Sequence, residues 1–390
     1  MGEEIARILA EESPVTTAIL SQLMTREMGG TDANGIWQWK DAYEALEVGL
    51  VLYLRKYGKQ LLSGDGHQAL QWLSELQAKL PTHTRRSEDS YLYQQFSTPL
   101  PMGYVVNRAA QLRRGDTVLE PSAGNGLLAI FAELAEARLI LNEIHDGRRR
   151  NLRELFPDAP LSSHNAEQID DYLDSAIRPT AILMNPPFSV SPKVKKRNPL
   201  ATWQHIISAL HRLQPGGRLV VITANWFSPH NPDWAIYFGR LSKFAHVAFS
   251  AGIEGRAYAK HGTTIETRLT VIDKKPKDDR GIIVDGCLSL PQLLEQIESS
   301  VPLREGADVT AETRLSKCNG AEPAPLKLEA PVVSIKAAPT STAPQVAKDV
   351  PPRIEESNET VEVAYDTIDW NGAGRELGEG IYEAYEPQSI

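Results

Sequence analysis

The tetrapeptide Asn185-Pro186-Pro187-Phe188 follows an apolar run, Ala181-Ile182-Leu183-Met184, that reads as a strand. Prolines have no N–H to give a ladder, so the strand stops there and the loop after it is stiff. At the carboxyl end of a central strand in a doubly wound sheet, such a loop faces the ligand crevice. It offers two neighbouring acceptors, the amide oxygen of Asn185 and the carbonyl of Pro186, which accepts normally although its nitrogen carries no hydrogen. Paired acceptors suit an exocyclic amino group such as adenine N6, whose lone pair is conjugated with the ring. Hydrogen bonds from both of its N–H groups draw the nitrogen toward tetrahedral geometry, and no strong general base is then required. Phe188 offers a face on which a base that has left its duplex can stack. The competing reading is a proline-rich turn that merely closes a strand, and a cofactor turn placed before it weighs against that.

Such a turn is present. Val118-Leu119-Glu120-Pro121 leads through Ser122-Ala123-Gly124-Asn125-Gly126 into an expected helix over 127–135. Small residues and the glycines Gly124 and Gly126 let backbone approach a ligand with no Cβ in the way. The carboxylate of Glu120 at the strand end would repel phosphates, so the turn suits a cationic or zwitterionic ligand. S-adenosylmethionine (SAM), with its amino acid moiety and sulfonium, fits. The next strand ends in Asn142-Glu143, where an acid can accept from both ribose hydroxyls. After a third strand, Asn165-Ala166 stands where the amide oxygen of Asn165 can accept from the adenine amino group. Upstream, Phe96-Ser97-Thr98-Pro99 precedes an expected helix over 102–112. Either Pro99 starts a turn that puts Thr98 and Phe96 over the cofactor, or the segment is a helix N-cap with a staple residue.

Lys193, Lys195, Lys196 and Arg197 follow the tetrapeptide closely, either to hold DNA phosphates or as a solvated loop. Arg148-Arg149-Arg150 reads as the solvated face of a helix, and His205 and His211 read as surface residues off an apolar stripe. Cys287 and Cys318 have no paired spacing, so neither a disulfide nor a metal site is expected.

The elements that must position these residues fall into four stretches. Residues 1–88 read as helices, over 15–27, 36–62 and 67–80, broken by glycine-rich turns. Residues 89–302 alternate strands with helices, which predicts an α/β, Rossmann-like fold with a doubly wound, mainly parallel sheet. Its strands are expected at 117–120, 138–142, 181–184, 218–223, 246–250 and 268–272, with a helix over 201–213. Residues 303–352 are rich in Ala and Pro and read as a linker, and 353–390 form an acidic tail whose aromatics suggest a docking segment. The net charge of −9 lies mostly in that tail, where ten acids face two arginines, so a nearly neutral body remains compatible with DNA as partner. No apolar run reaches the ~20 residues of a membrane span, and the first residues lack a basic signal region, so no membrane contact and a cytoplasmic location are expected.

With these residues placed, the chain resembles the adenine-N6 DNA methyltransferases whose cofactor motif precedes the catalytic one, opening with Glu120-Pro121-Ser122-Ala123-Gly124. More closely, residues 120–273 are similar to the methylase part of bacterial and phage methylase-helicase proteins of the strawberry notch type. Gly126-Leu127-Leu128-Ala129-Ile130-Phe131-Ala132-Glu133-Leu134, Leu183-Met184-Asn185-Pro186-Pro187-Phe188-Ser189 and His261-Gly262-Thr263-Thr264-Ile265-Glu266-Thr267-Arg268-Leu269-Thr270-Val271-Ile272-Asp273 carry that likeness. It implies SAM as cofactor, methylation of adenine in DNA for modification or anti-restriction, and a methylase half either encoded separately, with a separately encoded helicase as partner, or truncated. No phosphate-binding Gly-x-x-x-x-Gly-Lys-Ser/Thr occurs in the sequence. Two features depart from the family: Asn165 stands where it has an acid, and no distinct target recognition domain follows the sheet. Two other readings stay open, a protein or RNA N-methyltransferase and a catalytically weak DNA-binding anti-restriction accessory.

Overall fold

Runs such as Ala181–Met184 and Arg218–Ala224 are buried at every position, as befits strands covered on both faces rather than one. The structure, a computed structural model, describes residues 1–59, 64–84, 97–187, 200–276 and 281–304. All of them belong to one unit, Met1–Ala321, and a second unit, Glu322–Ile390, lies outside the described residues. So do the expected acidic tail and the linker beyond 304.

The strands are β1 (Thr117–Glu120), β2 (Arg138–Asn142), β3 (Leu161–Ser162), β4 (Ala181–Met184), β5 (Arg218–Ala224), β6 (His246–Ile253), β7 (Thr267–Asp273) and β8 (Ile282–Leu288). They form one sheet in the order β3-β2-β1-β4-β5-β7-β6-β8. From β3 to β5 every pairing is parallel, β7 runs antiparallel between β5 and β6, and β8 adds in parallel to β6. The order reverses direction between β1 and β4, and the crevice outside their carboxyl ends is where doubly wound sheets bind ligands. This is the mainly parallel Rossmann-like architecture expected from the sequence.

The helices are α1 (Gly2–Ala10), α2 (Thr17–Met28), α3 (Trp39–Tyr57), α4 (Gly66–Ala78), α5 (Leu100–Ala110), α6 (Ala129–Leu134), α7 (Asp146–Leu155), α8 (Ile169–Tyr172), α9 (Ala201–Arg212), α10 (Ala235–Leu241) and α11 (Leu290–Ser300). Strand alternation sends Ala181 and Leu183 into one apolar cluster, with the buried faces of α1 to α7 and α11. Ile182 and Met184 enter the other, with α9 and α10. The N-terminal helices therefore share a core with the sheet: α3 packs on α6 and α7, and α4 on α5 and α11. Where α1 meets α3, a Cβ on Gly49 would stand 2.5 Å from Cγ2 of Ile5, so the absent side chain lets the two helices close up.

Strands β5, β6 and β7 run longer than expected because their pairing continues to Ala224, Ile253 and Thr267 at the cleft end of the sheet. At the other end Arg218 and Asp273 are register partners. The guanidinium, fully buried, donates Nε to Oδ1 at 2.7 Å and Nη2 to Oδ2 at 3.0 Å, and also to the carbonyls of Ala109 and Pro302. Arg304, expected in the linker, is buried and bonds the Asp116 carboxylate. Among the described residues, no helix is long and apolar enough to cross a membrane.

Candidate active site

One cleft lies at the carboxyl ends of β1, β2 and β4 and encloses about 890 Å³, open solvent at its mouth included. That is the size of a small-molecule or cofactor site. It brings together Thr98, Glu120, Ser122, Ala123, Gly124, Glu143, Asn165, Ala166, Asn185 and Pro187, which the sequence scatters over ninety positions. Asn142 also lines it, whereas Gly126 and Pro186 do not. Phe96, Phe188, Lys193, Lys195, Lys196 and Arg197 lie outside the described residues.

Local geometry explains each placement. Gly124 and Gly126 both have positive φ, +56° and +87°, which bends the chain sharply out of β1. Gly126 faces away from the cleft, where a Cβ would meet the Phe156 ring at 2.5 Å; its lack of a side chain serves helix packing rather than ligand approach. The Gly124 N–H donates to Oε2 of Glu143 at 2.8 Å, and the His145 N–H donates to Oε1 at 2.7 Å. Each carboxylate oxygen keeps a second lone pair for a ligand hydroxyl. Asn142 spends its amide completely: Nδ2 donates to the carbonyls of Pro121 and His164, and Oδ1 accepts from Ser162 Oγ and the His164 N–H. It fixes the ends of β1, β2 and β3 relative to one another, and so acts on a ligand through the frame.

Glu120 is 2 % exposed, and its Oε2 has no hydrogen-bond partner among the described residues. Burial, aided by the nearby Glu143 charge, raises its pKa well above the usual carboxyl range. Burial raises Glu143 as well, against the pull of the Arg148 guanidinium. An orphaned acid beside a second acid, in a cleft with no phosphate-binding pattern, calls for a cationic donor. The ammonium of an amino acid moiety at Glu120 and ribose hydroxyls at Glu143 satisfy both, so the residues present fit SAM.

Asn185 follows the last residue of β4. Its Nδ2 donates to Thr98 Oγ1 at 3.1 Å and to the Tyr258 hydroxyl at 3.5 Å, which sets the plane of the amide and the side from which its oxygen accepts. Thr98 is buried, and Pro99 rather than Thr98 holds the N-cap position of α5, with no side-chain cap bond. Of the two readings of that segment, the helix cap is therefore not found, and Thr98 braces the loop after β4. Asn165 caps a turn at 166–168 by accepting the Glu167 N–H at 3.1 Å.

Two expectations fail. Arg148 is not on a solvated face: it is 8 % exposed, lines the cleft and pairs with Glu44 of α3 at 3.0 Å. His205 is not a surface residue: it is 3 % exposed and also lines the cleft. The error arises because α9 is covered on more than its apolar stripe, the turn at 166–168 and α8 packing on its other flank. His211, one and a half turns later, is exposed as expected.

The N-terminal helices supply cleft residues that were not anticipated. Glu47 of α3 accepts from Asn125 Nδ2 at 2.7 Å and from Ser97 Oγ, and burial raises its pKa. The signal was available, since Glu44 and Glu47 stand three apart among the buried apolar positions Tyr43, Leu46 and Leu50, where an unpaired acid would be costly.

No family model matches the sequence, and no curated protein matches it. Among solved structures it is similar to a putative class I SAM-dependent methyltransferase from Listeria monocytogenes, at 14% identity over 77% of this chain and 97% of that one, with a TM-score of 0.44. A type I restriction-modification methyltransferase subunit from Streptococcus thermophilus aligns at 14% identity over 54% of each chain, with a TM-score of 0.43. TrmN from Thermus thermophilus aligns at 19% identity over 46% of this chain and 50% of that one, with a TM-score of 0.35. The chain thus spans about half the length of the latter two. The strand order by itself makes the chain a Rossmann-like, doubly wound α/β protein.

Proposed function

We propose that the chain transfers the methyl group of SAM to the N6 amino group of adenine in DNA. The observation that carries this is the position of Asn185, at the end of β4 and in the same cleft as Glu120 and Glu143. An amide acceptor thereby stands at the switch point of the sheet, next to residues that fit an amino acid and a ribose.

When bound, SAM supplies an electrophilic methyl on its sulfonium. Glu120 takes the ammonium, Glu143 the ribose hydroxyls, and Asn165 with Ala166 the adenine end. Asn185, oriented by Thr98 and Tyr258, accepts one N–H of the target amino group, and the Pro186 carbonyl accepts the other. These bonds strengthen as the nitrogen becomes tetrahedral, so they favour the transition state over the ground state. Phe188 stacks on the flipped base, and Lys193, Lys195, Lys196 and Arg197 hold the displaced strand by its phosphates. The similarity to methylase-helicase proteins adds a separately encoded helicase as a partner, and modification or anti-restriction as the setting.

The test is Asn185→Ala in single turnover on an adenine-containing duplex. Turnover should fall about 10²-fold or more with DNA affinity nearly intact, as for loss of a bond made mainly in the transition state. Full activity in this variant would sink the mechanism.

A further inference from the structure

Within the cleft, His205 has no place in the mechanism above. His205 projects from α9, is 97 % buried, and lines the cleft, yet among the described residues neither Nδ1 nor Nε2 has a hydrogen-bond partner. Buried polar atoms are almost always paired, and an orphaned one carries its full desolvation cost. A side chain that lines a ligand cleft and carries two such atoms is explained by a ligand that pairs one of them.

The position of the ring says which part of the ligand that is. Along α9, residues 205, 208 and 212 fall on one face, since they are three and seven apart. Ser208 Oγ accepts the Asp170 N–H at 3.0 Å, and Arg212 donates to the carbonyls of Leu173 and Asp174 at 3.0 and 3.1 Å. This face is therefore docked on the segment that follows Asn165 and Ala166, and His205, one turn earlier, lies at their end of the cleft. The acids Glu120 and Glu143 lie at the strand ends of β1 and β2, so the Asn165 end is left for the base. The cleft lining includes the apolar Ile144, Ala166 and Pro187, against which a purine can pack. Asn165 contributes no charge there, and its own Oδ1 already accepts the Glu167 N–H.

We propose that His205 is a purine-recognition residue, its ring N–H donating to an unprotonated ring nitrogen of the cofactor's adenine. Burial pulls its pKa down to about 4, so the imidazole is uncharged and keeps a single N–H to give. The ring takes over part of the base recognition that an acid at position 165 would supply. The assignment rests on the reading of the cleft as a SAM site.

The test measures binding of S-adenosylhomocysteine and its 1-deaza, 3-deaza and 7-deaza analogues by calorimetry, to the full chain and to His205→Phe and His205→Gln. The apolar variant removes the hydrogen bond while keeping a flat ring in the buried space, and the amide variant keeps an N–H. We expect wild type to lose about tenfold in affinity for one deaza analogue, the value of one hydrogen bond left unmade. His205→Phe should bind the parent compound about tenfold more weakly and not distinguish that analogue from it, and His205→Gln should recover part of the difference. If wild type binds S-adenosylhomocysteine and all three analogues equally, the assignment is overturned while the cofactor reading stands. Equal affinity of wild type and His205→Phe for the parent compound overturns it in the same way. If wild type binds none of them, the cofactor reading fails and takes the assignment with it. Should His205→Phe not fold, the wild-type comparison across the four ligands decides alone.

Discussion

Replacing His205 by phenylalanine should change how stability depends on pH. In the folded chain burial holds the imidazole pKa at about 4, against 6.5 for an ordinary histidine. Between those values the unfolded chain binds a proton that the folded chain refuses, so wild-type stability falls as pH drops through this window. Above about pH 6.5 both states are neutral and the term vanishes; below about pH 4 both are protonated and the loss is complete. At roughly 1.4 kcal/mol per pH unit the gap corresponds to about 3 kcal/mol. Buried Glu47, Glu120 and Glu143 act in the opposite sense, because their raised pKa values make the folded chain the better proton acceptor on acidification. Both proteins carry those acids, so the difference between their curves isolates the histidine. Urea unfolding of wild type and His205→Phe at steps from pH 7.5 to 4.5 should give a difference that is flat above pH 7 and widens in favour of the variant by about 2 kcal/mol or more at pH 4.5. Parallel curves across this range would refute a buried, neutral, unpaired imidazole.

Glu143→Ala removes the carboxylate that holds the Gly124 and His145 amides, so SAM affinity should fall at least tenfold by calorimetry; unchanged affinity would remove Glu143 from the cofactor site. Asp273→Ala leaves the fully buried Arg218 guanidinium without its counter-ion, and urea unfolding should register a loss of about 3 to 5 kcal/mol. A loss below about 1 kcal/mol would mean that the Ala109 and Pro302 carbonyls suffice. Neutralising Lys193, Lys195, Lys196 and Arg197 together should weaken DNA binding for all sequences alike and flatten its salt dependence, and equal salt slopes would exclude phosphate contact.

The central strands were legible because β4 and β5 are covered on both faces and read as apolar runs, and because β1 and β4 are followed by residues that cannot extend them, Pro121 and Pro186. The turn after β1 and the loop after β4 were legible as neighbours for the same reason: each follows a strand directly, and strand order then fixes their meeting in one cleft. What the sequence concealed depends on contacts between distant segments. Glu47 and Arg148 enter the cleft because α3 packs on α7, and no local pattern joins positions a hundred residues apart. His205 was misplaced because a hydrophobic stripe identifies one buried face of a helix and is blind to a second. The edge strand β8 was missed since its half-exposed positions, with Asp285 and Gly286 in the middle, lack both an apolar run and a clean alternation.

The central claim is tested most directly by the identity of the methylated product. Full chain incubated with SAM labelled in its methyl group and with unmethylated duplex DNA, then digested to nucleosides and separated, should place the label in N6-methyladenine alone. RNA and the protein itself, offered as acceptors in parallel, should stay unlabelled. Label in a methylated cytosine, in RNA, in a protein side chain, or in none of the acceptors would contradict adenine-N6 methylation of DNA.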